Sequence, residues 1–448
     1  MTMTLTSDPP ADVSPVPARL VPIEAAADPA PVASVWRRLL GRFALVAFAL
    51  YHLPLLVNDY PSLGGGGFSE GLSVTWGHVF GQVGLWVARH VFQLTGPMPD
   101  ALGGDNGDTT EEYCRLLAGA AIAAIAAAIW VAVDRRRPRA RWVEDALHVL
   151  LRYSIALGLA SYAVAKLYPQ QFPPLTPADL ELRVGELSPF GLLWTFMRYS
   201  AVYSTIAGGM EMAVVLLLCF RRTATLGALL CVPVMLNVML MNLCYGVPVK
   251  LYSAMTVASA LVLVVYDARR LIDALVVRRG VPAQPVRPPF RSRRLNQARW
   301  LVKGVLVGGV LLSSAVAMRG ARAGAAADAA SPLHGTWDVS SFVVDGRELA
   351  GTAEASRWRR ISLSRGGVLL RLEDETVVNC RGAPDEASHT LDLTCPGTHQ
   401  RGSLQWTREG KQLRLDGSFA GKPVAARLAL RDDARLPLVR AQFRWTYE

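Results

Sequence analysis

Two hydrophobic patterns divide the chain. Between residues 35 and 318 apolar side chains gather into runs close to the roughly 20 residues that cross hydrocarbon. We read seven spans, at 36–57, 113–133, 143–167, 195–220, 223–243, 250–268 and 300–318. From Leu333 onward the period shortens to two, in stretches such as "TWDVSSFVV", "VLLRLED", "TLDLTC" and "SLQWTRE". Between them stand "DG", "GG", "EGK", "DG" and "AGK", which are hairpin signals, and "AQFRWTYE" reads as the last strand. The pattern predicts a polytopic α-helical membrane bundle of about seven spans, followed by an all-β antiparallel, barrel-like soluble domain of eight or nine strands. Closing such a sheet removes its exposed edges.

The segments between these patterns set the domain limits. Residues 1–34 are rich in Pro and Ala and read as a disordered tail without a cleavable signal, so the first span would serve for targeting. The helical membrane domain is 35–318, with an extracytoplasmic loop at 58–112. In that loop, Leu72–Leu94 mixes Trp76, Phe80 and Phe92 with His78, Arg89 and His90, as an interfacial or re-entrant helix would. "GDNGDTTEEY" (Gly104–Tyr113) has turn and helix-cap chemistry and not the spacing of a calcium loop. Residues 319–332 are a small-residue linker, and 333–448 form the extracytoplasmic β domain.

Composition and charge sharpen this picture. The chain is 51% hydrophobic with a formal net charge of +11. Its basic residues flank apolar runs: Arg37, Arg38 and Arg42 at the first, "DRRRPRAR" after the second, Arg221 and Arg222 after the fourth, "DARR" after the sixth. Counted alternately, all fall on one side, which the positive-inside rule makes the cytoplasm. The expected location is the bacterial inner membrane, with the N-terminus cytoplasmic and the β domain periplasmic. Lipid, not nucleic acid, is the partner such basic loops imply.

One carboxylate, Glu211, interrupts the apolar run "IAGGMEMAVVLLL". Small residues on its face (Ser204, Ala207, Gly208) admit a neighbouring helix, so Glu211 should point into the bundle. A charge at that depth costs a few kcal/mol unless paired. Arg152 on the third span is the expected partner, forming a structural ion pair, with Lys166 and Tyr162 farther along nearly the same face. Arg198, Asn242, Lys250 and Tyr252 fall at the outer ends of their spans. Two readings stand side by side. Either Lys166 and Lys250 snorkel to lipid phosphates, or Tyr162, Lys166, Arg198, Asn242, Lys250 and Tyr252 line a pocket for a polar-headed lipophile, with Glu211 as the candidate proton acceptor.

The six cysteines show no CxxC spacing, so no metal site is predicted. Cys380 and Cys395 end neighbouring strands of the outer domain, where an oxidising compartment would let them form a disulfide.

Several motifs carry resemblances. "YAVAKLYPQQFPPL", "GELSPFGLLWTFMRYSAVYSTIAGGMEM", "RRTATLGALL" and "NVMLMNLCYGVPVKLYSAM", spread over residues 36–275, resemble DoxX-like bacterial membrane proteins. That resemblance implies a compact helical core and a link to quinone, membrane redox and thiol chemistry. The broader fold is similar to the membrane part of vitamin K-dependent carboxylases. The chain departs from the short four-helix pattern by its extra spans, its long outer loop and its β domain. "GTW" at Gly335–Trp337 resembles the first signature of lipocalin-like barrels, whose late Arg would correspond to Arg440 or Arg444.

Three functions follow as expectations. The first is a quinone-associated redox role, in which Lys166, Tyr162, Arg198 and Lys250 hold headgroup oxygens and Glu211 manages protons. No haem, flavin, iron–sulfur or nicotinamide motif is present, so electrons would come from a quinone or a redox partner subunit. The second is non-catalytic: an anchored β domain that binds a lipid or other lipophilic small molecule. The third, a transporter, would need repeats or broken helices in matching positions.

Overall fold

The computed structural model describes residues 35–58, 68–95, 108–134, 141–168, 170–281, 292–349, 354–364 and 367–439. Its first part is helical: α1 (Val35–Asn58), α2 (Phe68–His90), α3 (Thr110–Val133), α4 (Arg141–Leu167), α5 (Pro177–Glu181), α6 (Pro189–Tyr199), α7 (Ala201–Cys219), α8 (Ala224–Cys244), α9 (Lys250–Tyr266), α10 (Ala268–Leu275) and α11 (Arg293–Ala330). Among the described residues α3, α4, α7 and α8 are each long and apolar enough to cross a membrane, and α9 with α10 would make a fifth if their 66° bend lies within one span.

The expected count of seven is therefore not supported. Residues 36–57 and 300–318 lie within α1 and α11, neither of which is in that set and both of which include side chains outside the described ones. The expected span 195–220 breaks at Ser200, which ends α6 and caps α7 by accepting from the Tyr203 amide. The expected span 250–268 turns sharply at Asp267. The 319–332 segment, expected as a linker, stays helical to Ala330, consistent with its alanines.

α4 is the hub. More than half of its apolar stretch is buried, whereas α3 exposes most of its own. α7 packs against it most closely, because a Cβ built on Gly208 would stand 2.8 Å from Lys166 Cβ and 2.9 Å from Ala163 O. Leu151, Ile155, Leu159, Val214, Leu218 and Met235 fill the core between α4, α7 and α8. α2 leans on the start of α3, where Gly84 approaches the Glu111 carbonyl.

Polar contacts mark the two ends of the bundle. At one end Arg42 pairs with Asp134 at 2.7 Å, Arg221 approaches Asp145 at 4.0 Å, and Thr225 hydrogen-bonds Asp267. At the other, Asp108 accepts from the Lys250 and Leu251 amides at 2.6 and 2.9 Å and so caps α9. The helix-cap chemistry expected of "GDNGDTTEEY" is thus divided: Asp108 serves α9, and Thr109 caps α3 by accepting from the Glu112 amide.

The second part is one antiparallel sheet. Its strands are β1 (Gly335–Val344), β2 (Arg347–Glu348), β3 (Trp358–Ser364), β4 (Gly367–Leu372), β5 (Val377–Cys380), β6 (Pro384–Asp385), β7 (Thr390–Cys395), β8 (Gln400–Glu409), β9 (Gln412–Phe419) and β10 (Lys422–Leu430). The order β5-β4-β3-β1-β10-β9-β8-β7-β6, with β2 beside β1, curls into an incomplete barrel. Its ends meet at the Arg381–Thr394 bridge and at a Cys380–Cys395 disulfide, the expected pairing. Asp345-Gly346 turns with both φ positive, as the hairpin signal requires. The second "DG" is different: Asp416-Gly417 lies inside β9, where Ser403 O leaves no room for a Cβ on Gly417. Trp337, Phe342, Trp358, Ile361, Leu370, Leu404 and Leu428 fill the interior. Arg440, Arg444 and the "AQFRWTYE" strand lie outside the described residues; Arg408 stands over Trp337, 5.4 Å from its ring centre.

Candidate functional site

Glu211 faces the bundle, but its partner is Lys166 and not Arg152. Lys166 Nζ donates to both carboxylate oxygens, at 2.8 and 2.9 Å, with side chains 8% and 3% exposed. Gly208, one turn before Glu211, brings α4 and α7 close enough at this level for the short Glu side chain to meet the ammonium. Arg152 sits deeper along α4 and donates from Nε and Nη2 to the Leu218 carbonyl, at 3.0 and 2.6 Å. It serves the buried carbonyl end of α7, where a helix leaves its last acceptors without intrahelical donors. Four helical turns separate the two cations on one face of α4, and the depth at which α7 crosses decides between them.

The tyrosines join this pair. Lys166 Nζ lies 5.6 Å from the Tyr162 ring centre, and the Tyr162 and Tyr252 rings are 5.2 Å apart. α9 reaches α4 here because Gly158 leaves space for the Tyr252 hydroxyl. Asn242 is one step away: its amide donates to Ser253 Oγ at 3.1 Å and the Val249 carbonyl at 3.3 Å, tying α8 to the start of α9. His52 of α1 hydrogen-bonds Ser259 at 2.9 Å, farther along α9.

The other two predicted cations go elsewhere. Arg198 holds Asp179 through both terminal nitrogens, at 2.9 and 2.6 Å, and also donates to the Pro173 and Pro174 carbonyls. Lys250 Nζ turns to the Val247 carbonyl at 3.0 Å and Asp108 at 3.5 Å. The expected six-residue lining therefore resolves into a Lys166–Glu211–Tyr162–Tyr252 cluster, an Asn242 clasp, and two separate ion pairs. Sequence reasoning missed Asp179 and read the Asp108 stretch only as a local helix cap, because it treated the outer cations as facing lipid or ligand. A local signal existed for Asp179: "TPAD" (Thr176–Asp179) is a capping box, with Thr176 and Asp179 exchanging hydrogen bonds.

A second polar cluster went unread. Glu181, at the end of α5, is buried against the β domain with Arg360, Arg371 and Arg431 around it. Arg371 also binds Glu186 at 2.9 Å, and Arg183 pairs with Glu375 at 2.9 Å. The Arg371 hydrogen bond, with a further one from the Arg183 amide, holds the Glu186 carboxyl down to about 2. The loop between α4 and α6 is thereby locked onto the outer faces of β1, β3 and β4.

No protein-family profile and no solved structure matches the chain. The uncharacterized protein YwoB of Bacillus subtilis (strain 168) is 32% identical over 130 residues, which is 29% of this chain and 82% of YwoB. The chain belongs to the YwoB family. YwoB carries no functional description, so what this relative of YwoB does has to be argued from its own geometry.

Proposed function

We propose that the membrane part binds the polar head of a lipophile, a quinone being the class the DoxX-like resemblance favours, beside the Lys166–Glu211 pair. The observation that carries this reading is a carboxylate and an ammonium, both buried inside apolar helices, with the Tyr162 ring beside the ammonium and the Tyr252 ring tilted against it. An ammonium has three N–H donors and Glu211 takes two, so one remains for a headgroup oxygen. Glu211 is the group able to accept or release a proton there. A bound quinone would supply two-electron, two-proton chemistry, with electrons arriving from a partner subunit. Orientation belongs to the same reading. The Arg-rich ends of α1, α7 and α10 lie opposite the end that meets the β domain, so the β domain would face the periplasm under the positive-inside rule.

Mass spectrometry of lipids extracted from the purified protein tests the reading. Wild-type protein should carry quinone, and Lys166→Ala should lose most of it. Wild-type protein free of quinone when prepared from quinone-containing membranes would overturn it. The competing reading, a lipid held inside the β domain, meets an interior already occupied by Trp337, Trp358 and Phe342.

A further inference from the structure

The outer face of the sheet is covered where α5 docks and open just beyond it. Along one cross-strand row, Thr336 pairs with Ser362, Ser362 with Leu369, and Leu369 with Asn379. Thr336, Ser362 and Leu369 are buried although they point away from the hydrophobic core, because the α5 loop lies over them. Asn379, at the end of the row, is exposed, and so is Arg381 two residues on, across the same face of the strand. Here a cleft of about 520 Å³ opens between the α5–α6 segment and strands β3, β4 and β5. Val368, Leu369 and Cys380 line its apolar part; Thr176, Asp179 and Arg198 form the wall on the membrane side.

The charges in this cleft are unequal. Asp179 and Arg198 neutralise each other, and Arg198 has spent most of its donors on that carboxylate and on two carbonyls. Arg381 is different: among the described residues its guanidinium makes no ion pair or side-chain hydrogen bond, although its backbone is pinned by the bridge to Thr394 beside the disulfide. A fixed backbone, an uncommitted guanidinium and a neighbouring carboxamide make a donor-rich, net positive recess with an apolar floor. The size suits a small ligand.

We propose that this cleft is a binding site for an oxyanion of the phosphate type, either free or as the head of a lipid, with Arg381 as its charged donor and Asn379 as its neutral one. A guanidinium meets phosphate oxygens two at a time, which fixes orientation as well as charge. The site is independent of the intramembrane cluster, so it stands or falls separately from the quinone reading.

Calorimetric titration of the full-length protein in neutral detergent tests it, with inorganic phosphate and dihexanoyl phosphatidic acid as probes. Saturable binding of either is expected, weakened at least tenfold by Arg381→Ala and several-fold by Asn379→Ala, and unchanged by Arg427→Ala at an exposed position of β10. Binding of the lipid alone would assign the site to a headgroup; comparable binding of both would assign it to the oxyanion itself. A wild-type protein that binds neither, or one whose binding survives both Arg381→Ala and Asn379→Ala, would overturn the proposal. An intact Cys380–Cys395 disulfide, checked by mass, and an unchanged unfolding midpoint certify that each variant is folded.

Discussion

Take Glu211 away and the Lys166 ammonium is left inside the helix pack with no counter-charge. Breaking a buried pair from one side costs about 3–5 kcal/mol, whereas replacing both partners with apolar residues of similar size is often close to neutral. Glu211→Leu and Lys166→Met should therefore each lower the thermal unfolding midpoint in detergent strongly, and the double variant should recover most of the loss. Equal destabilisation by all three would show that the pair does not act as a unit. Gly208 sets the distance across which the pair forms. A methyl there would press on backbone atoms of α4 at 2.9 Å, which cannot retreat as a flexible side chain would, so Gly208→Ala should destabilise by about 1–3 kcal/mol. The lone acid was legible in the sequence because nothing else in its apolar run carries charge. Its partner was not, since Arg152 and Lys166 share a face of α4 and only the crossing point of α7 distinguishes them.

At the scale of elements, period and turn chemistry carried most of the reading. The two-residue period located nearly every described strand, and Cys380 and Cys395 could be matched because each ends a strand. Helix limits were less legible. Hydropathy runs straight through Ser200, yet the side chain of Ser200 offers the Tyr203 amide a cap that ends one helix and starts another. Asp108 looked local and in fact caps α9, a contact 142 residues away that no window along the chain contains. The disulfide is the element-scale feature most open to test. It closes a sequence separation of 15 residues and joins the two ends of the sheet, so loop-closure entropy assigns it about 3 kcal/mol. A Cys380→Ser, Cys395→Ser protein should unfold at correspondingly lower denaturant, read from the near-ultraviolet signal of Trp337 and Trp358. It should also expose the 381–394 hairpin to protease first. A double variant as stable as wild type would mean that the Arg381–Thr394 bridge alone holds the seam.

For the whole molecule, what matters is how a β domain is held against a helical bundle. The joint is polar: Glu181 and Glu186 come from the bundle, and Arg360, Arg371 and Arg431 from the sheet. Three arginines around one buried carboxylate repel one another once it is removed, so Glu181→Ala should undock the domain without unfolding either part. Limited proteolysis would then cut within 170–188 while the β core stayed intact. Acid should loosen the same joint. Because Arg371 holds the Glu186 carboxyl near 2, below the ordinary 4.5, docking draws on its ionised form. That contribution is complete above about pH 4.5 and disappears as pH falls through about 2. Fluorescence transfer between a dye on the loop and one on the sheet should be flat from pH 7 to 5, then fall toward pH 2. In Glu186→Gln the Glu186 component of that fall should vanish, leaving a weaker joint already at pH 7. A wild-type signal that stays level down to pH 2 would show that the carboxylate contributes nothing to docking, and that Glu181 with the remaining contacts holds the domain unaided.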